Sequence, residues 1–136
     1  MRWHRRLAND NRYQVREWPS CGLPGFKLQE GNEKTGSVKI WQIRELLGSN
    51  ALMKEGRRMN HCVASYARSC AQGQCSIWTM ELTTKNDFKK LLTIEVRNRL
   101  ICQARGRFNR AMDDREEAIL RRWATKAGLR FAPYLG

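Results

Sequence analysis

What this chain lacks narrows its class first. No apolar run approaches the eighteen or so residues of a membrane-spanning helix. The opening Met1-Arg2-Trp3-His4-Arg5-Arg6 carries charge without the apolar segment of a secretory signal, so the expected compartment is cytoplasmic. The five cysteines, Cys21, Cys62, Cys70, Cys75 and Cys102, are odd in number and show no disulfide-framework spacing, which implies free thiols. With two histidines only, Cys70-x4-Cys75 and the adjacent His61-Cys62 fit no zinc spacing, so no metal site is expected. There is no Walker loop and no dinucleotide fingerprint, and no cofactor is expected. Carboxylates are scarce: 13 Asp and Glu stand against 26 Lys and Arg, a net charge of +13.

That excess favours polyanionic partners, since each phosphate neutralised releases counterions. Eighteen of the basic residues are arginine, whose planar fork matches phosphates and base edges better than a lysine ammonium does. Nucleic acid, DNA or RNA, is therefore the expected partner. The plainer reading is a basic protein kept soluble by its charge. At 136 residues the chain is one domain's worth, with 41% hydrophobic and 29% charged residues.

Residues 1–12 are basic, polar and without period, and read as an N-terminal arm; 13–136 read as a single domain. Tyr13 and Val15 alternate weakly toward a short strand ended by Pro19, and Phe26-Lys27-Leu28 resumes extended structure. Val38, Ile40 and Gln42 alternate with Lys39, Trp41 and Ile43 as another strand. Ser49 or Asn50 caps a short helix through about Arg58, and Asn60 caps a second helix over residues 59–71 that Gly73 ends. On that wheel Met59, Cys62, Val63, Tyr66 and Cys70 share the apolar arc, with His61, Ser65 and Arg68 opposite. Ser76–Leu82 is a strand, and Leu91–Val96 with Leu100–Arg105 a hairpin. A three-residue loop, Arg97-Asn98-Arg99, would set Val96 against Leu100, Ile94 against Cys102 and Leu92 against Ala104. Thr93, Glu95, Ile101, Gln103 and Arg105 would then share the other face, with Gln103 opposite Thr93. Asp113 and Asp114, each with a Glu three residues on, offer capping boxes for a last helix stopped by Gly128. The expected fold is α+β: an antiparallel β-meander of about three strands, packed by helices before and after it.

The polar residues gather in two clusters. In the first, His61, Cys62 and Tyr66 follow Arg57 and Arg58. A thiol at a helix N-terminus beside arginines is an activated nucleophile in one reading. Yet neighbours on a helix point about 100° apart, and Cys62 falls on the apolar arc, which argues for a core cysteine. His61 lies off that arc, free to act as general base, phosphate donor or stacking group, or simply to bond a loop. Tyr66 reads as a core residue whose hydroxyl reaches the edge. The second cluster is Gln103, Arg105, Gly106, Arg107, Asn109 and Arg110. From Arg97 to Met112 there are five arginines and no acid, a set suited to phosphate and base-edge contacts, or a solvated basic loop. A carboxylate site would need Glu55, Glu81 or Glu95 to be brought together, which the sequence does not force.

Several blocks carry a family likeness: Trp18-Pro19 with Pro24-Gly25-Phe26, Trp41–Leu47, Glu55–Tyr66, Ser76-Ile77-Trp78, Leu92–Val96, Gln103–Arg110, Arg122-Trp123-Ala124 and Gly128-Leu129. In that order and over roughly residues 13–131 the chain resembles the C-terminal domain of the PcfJ-like family, which is associated with conjugative plasmids and mobile elements. The resemblance implies conjugation or mobile-element biology rather than a defined reaction. Three functions are consistent with it. The first is a basic nucleic-acid-binding accessory domain, with Arg105, Arg107 and Arg110 on phosphates and Gln103, Asn109 and His61 at base or sugar. The second is a His61/Arg105-dependent enzyme acting on nucleic acid or a phosphorylated small molecule. The third is a protein-interaction module of a transfer complex.

Overall fold

The computed structural model describes residues 15–135. The expected arm at 1–12 and the start of the Tyr13 strand lie outside them. Six strands form one sheet in chain order: β1 (Phe26–Glu30), β2 (Lys39–Leu46), β3 (Ser76–Thr84), β4 (Phe88–Arg97), β5 (Leu100–Arg105) and β6 (Arg130–Phe131). Neighbours from β1 to β5 are antiparallel, while β6 runs parallel to β5. The α+β class holds, but the meander of about three strands is half of the sheet. β1 and β2 show their alternation in the sequence. Their partnership does not, because β2 joins β3 only after the chain has passed through both helices between Leu46 and Ser76.

The sheet has two unlike faces. One packs Trp41, Ile43, Trp78, Met80, Leu92, Ile94, Ile101 and Ala104 against α3 (Asp114–Ala127), whose Ile119, Leu120, Trp123 and Ala127 complete the larger core. The Trp78 and Trp123 rings meet at 4.8 Å between centroids, tilted by 53°, an aromatic contact that adds to the area they bury. As anticipated, Asp113 caps α3 in a capping box with Glu116, and Gly128 ends it in the left-handed region at φ 69°. The other face starts with a smaller core of Leu46, Leu52, Val63, Tyr66, Cys70 and Ile77 beneath α1 (Ser49–Met59) and α2 (Ala67–Ala71). Beyond it the same face turns polar, with Thr79, Glu81, Thr93, Glu95 and Gln103 all buried.

Two local expectations are corrected. No single helix covers 59–71. Asn60, expected to start a helix, ends α1 instead, in the left-handed region at φ 53°. The N–H groups of Asn60 and His61 both reach the Gly56 carbonyl, as in a Schellman-type stop. A Cβ on Gly56 would lie 2.9 Å from the His61 carbonyl oxygen, so glycine is what lets the chain fold back there. A short 3-10 turn over Val63–Tyr66 then leads into α2.

The hairpin register also differs. Asn98 and Arg99, at φ 50° and 60°, make a two-residue turn of the primed kind that suits strand twist. Val96 therefore opposes Ile101, and a bulge next to Val96 shifts the register so that Glu95 opposes Gln103 and Thr93 opposes Arg105. The bulge returns Ile101 to the larger core, while Thr93, Glu95, Gln103 and Arg105 stay on the polar face. Among the described residues no helix is long and apolar enough to cross a membrane.

Candidate functional site

Strand alternation builds the polar face. Arg44, Thr79, Thr93 and Arg105 form one row across β2–β5, and Leu46, Ile77, Glu95 and Gln103 the next. Helix α1 lies over these rows and drops Glu55, fully buried, into them. A buried carboxylate demands partners. The Thr93 hydroxyl donates to Glu55 Oε2 at 2.6 Å, and Lys90 Nζ stands 2.8 Å from Glu55 Oε1 as an ion pair, its approach oblique to a hydrogen bond. The same ammonium reaches Glu81 Oε2 at 2.9 Å, and Arg44 grips Glu81 with Nε at 2.8 Å and Nη2 at 3.1 Å. Burial raises the Glu81 carboxyl, but its bonds to Arg44 and Lys90 outweigh this and hold it below the usual carboxylate range. Glu55 and Glu81 are thus brought together around Lys90, while Glu95 stands apart with Gln103 and Arg97.

His61 enters this network through Nε2, 2.9 Å from Thr93 Oγ1. Thr93 has one hydroxyl proton, and it goes to Glu55. His61 must therefore donate from Nε2, which leaves Nδ1 as its acceptor nitrogen. Burial holds the imidazole down to about 4, against a smaller opposing pull from a hydrogen bond with its own backbone, so it is neutral at physiological pH. With Thr93 and Glu55 both fully buried, this chain of bonds is interior scaffolding joining α1, β4 and the segment after α1.

The other residues singled out in the sequence are dispersed. Cys62 precedes a four-residue 3-10 turn rather than a helix, and its carbonyl accepts from Ser65; the dipole argument for an activated thiol has no helix to act through. Tyr66 is buried, with its hydroxyl accepting from Gln103 Nε2 at 3.4 Å. Gln103 is buried as well, donating to Glu95 at 2.6 Å, so no macromolecule can reach its amide. Arg105, half-buried on the polar face, donates to the Asn109 carbonyl at 3.5 Å. Arg110 forks onto Glu116 at 2.8 and 2.9 Å and reaches the Leu91 carbonyl, tying the turn to α3 and β4. Gly106 makes room for that fork: a Cβ there would sit 2.6 Å from the Arg110 guanidinium.

What faces solvent is a different set. A concavity of about 680 Å³ is lined by Arg44, Lys54, Arg57, Arg58 and Lys90, with Glu81 as its one carboxylate and the exposed ring of Phe88 at its margin. Arg44 and Lys90 are engaged by Glu81. Among the described residues Lys54, Arg57, Arg58 and Arg107 make no ion pair. Arg57 and Arg58 also complement the C-terminal dipole of α1. The 107–109 turn packs on α1. There Arg107 sits over the Phe108 ring, 5.3 Å from its centroid, and the ring is 65% exposed. Both Phe108 and Asn109 have positive φ, at 58° and 61°.

Arg57, Arg58 and Arg107, named from the sequence, are exposed. Lys54, Lys90, Arg44 and the two phenylalanines are not singled out by the sequence; Glu55, Glu81 and Glu95 are, but only as residues that the fold would have to bring together, and Lys90 is what joins the first two. The available signal was the i, i+2 spacing of Thr79 with Glu81 and of Thr93 with Glu95, set between apolar residues. Among the described residues no group of three or more His, Cys, Asp or Glu is placed to hold a metal ion. A family model described as "PcfJ-like protein" matches residues 27–120, inside the span that the sequence blocks outlined. No curated protein and no solved structure matches the chain.

Proposed function

The chain belongs to the PcfJ-like family, and from that premise and the face around α1 we propose that it is a nucleic-acid-binding domain serving a conjugative or other mobile element. The observation that carries the reading is the concavity walled by five cationic side chains against one carboxylate, with Phe88 at its margin. Lys54, Arg57 and Arg58 take phosphates, and Arg107 extends the cationic band beyond β4. Arg105 and Arg110 support that band from within, holding the 107–109 turn. Gln103 and His61 have no contact with the ligand in this reading. An exposed ring at a basic concavity, with a second on the turn packed against α1, suits unstacked bases better than a closed duplex, whose base faces are hidden. The preferred ligand is therefore single-stranded.

The test is anisotropy of a labelled single-stranded oligonucleotide and of the matching duplex, titrated with protein across a salt series. Binding should weaken steeply from low to moderate salt and favour the single strand. Replacing Lys54, Arg57 and Arg58 together by alanine should weaken binding at least tenfold and flatten the salt slope by about one for each phosphate no longer neutralised. Unchanged affinity and slope in that variant would overturn the reading. So would an acidic protein partner that binds this face while oligonucleotides do not.

A further inference from the structure

At the end of the molecule away from α1's basic face, a second cavity of about 390 Å³ opens beside the start of β3. Cys21, Cys70 and Cys75 all contribute to its walls, together with Glu45, Gln74, Arg97 and Arg99. Cys70 is buried at the end of α2 and Cys75 is half-buried just before β3, yet their sulfurs lie 3.8 Å apart. We propose that Cys70 and Cys75 are a thiol pair that low-molecular-weight disulfides, of the glutathione type, convert into an intrachain disulfide.

Three features distinguish the pair from two inert core cysteines. First, the sulfurs are already in contact, and a bond of about 2.05 Å needs them to close by only ~1.8 Å. Second, the chain between them can yield. Ala71, Gln72, Gly73 and Gln74 are exposed, Gly73 turns at φ 75°, and a side chain there would meet nothing within 4 Å. Third, the two thiols are unequal. Burial and the bond with Cys75 hold the Cys70 thiol well above the usual range, the bond being the larger cause, so Cys70 keeps its proton and lends it to Cys75. Arg97, paired with Glu95 and bonded to the Gln74 carbonyl at 3.4 Å, fixes the chain just before Cys75 at the same wall.

The chemistry balances without any further reagent. The Cys75 thiolate attacks one sulfur of the small disulfide and releases the first small thiolate. Cys70 then gives its proton to that leaving group and attacks Cys75 Sγ, expelling the second. Two protein thiols are oxidised while one small disulfide is reduced to two thiols. Cys102 has no such route: buried and beside Glu95, its thiol is raised by burial and by that carboxylate.

The experiment uses the full chain with Cys21→Ser, since Cys21 is exposed and its removal disturbs no core. The protein is incubated with glutathione disulfide and read by intact mass and peptide mapping. The expected result is loss of two thiols with no retained glutathione and a mapped Cys70–Cys75 link. Adding Cys70→Ser should strand the reaction as one stable glutathione adduct on Cys75. Persistence of free thiols at both positions, or a link from Cys75 to Cys62 or Cys102, would overturn the proposal. Should the Cys70 variant fold poorly, peptide mapping of the wild-type chain identifies the linked pair directly.

Discussion

Thr93 donates its hydroxyl proton to Glu55 at 2.6 Å, joining the centre of β4 to the middle of α1, and both residues are fully closed to solvent. The bond explains how a carboxylate can be tolerated beneath a helix. It also sets the direction of the neighbouring His61 bond. Thr93→Val keeps the volume and removes the donor. It leaves Glu55 Oε2 and His61 Nε2 short of a partner, each a desolvated polar group. The expected loss is about 1–3 kcal/mol in urea unfolding, against a smaller loss for Thr93→Ser, which keeps the hydroxyl. Equal losses for valine and serine would show that packing, not the hydroxyl, is what matters at this position.

His61 gives the fold a pH dependence whose sign follows from burial. Its imidazole is held down from 6.5 to about 4, so between those values the unfolded chain takes up a proton that the folded one refuses. This contribution is fully present above pH 6.5 and is lost as pH falls through 4, with a total on the order of 3 kcal/mol. His61→Gln, whose amide can still donate toward Thr93, should flatten the stability profile in that window. An imidazole NMR titration that finds His61 ionising near 6.5 would remove the basis for the claim.

Much of the architecture was legible because it is local. The Asp113–Glu116 capping box, Gly128 at the end of α3 and the alternation of β3, β4 and β5 each depend on residues a few positions apart. The three-residue hairpin loop failed for a physical reason. A bulge next to Val96 absorbs one residue, and nothing in a face-matching argument distinguishes a longer loop from a tighter turn followed by a bulge. Asn60 reads equally well as the start of a helix or, in the left-handed region, as the end of one, and only the fold-back over Gly56 decides between them. The site was harder. Lys90 faces Glu81 across the β3–β4 hairpin but meets Glu55 only because α1, far off in the sequence, lies over β4, and Gln103 looked like a ligand contact because its partners Glu95 and Tyr66 come from other elements. Arg57, Arg58 and Arg107 are exposed, but basic character alone could not show that Arg110 is held by Glu116.

Phe108 offers the sharpest separation of binding from folding. It holds a bulky side chain at φ 58°, a conformation that costs roughly 1 kcal/mol in an L-residue, and it exposes 65% of its surface instead of burying its ring. Neither choice helps the domain fold, and local strain of this kind is retained where surrounding structure and function require it. Phe108→Ala should leave the melting temperature nearly unchanged. Phe108→Gly should leave it unchanged or raise it, because relief of the left-handed strain offsets the extra freedom of the unfolded chain. Both should weaken single-stranded nucleic-acid binding roughly fivefold to a hundredfold, the worth of one stacked base. Arg107, stacked over the same ring, should lose part of its effect once the ring is gone, so Arg107→Ala and Phe108→Ala together should cost less affinity than their separate losses combined. Full affinity in Phe108→Ala would mean that the ring stacks on nothing, and the aromatic part of the proposed interface would rest on Phe88 alone.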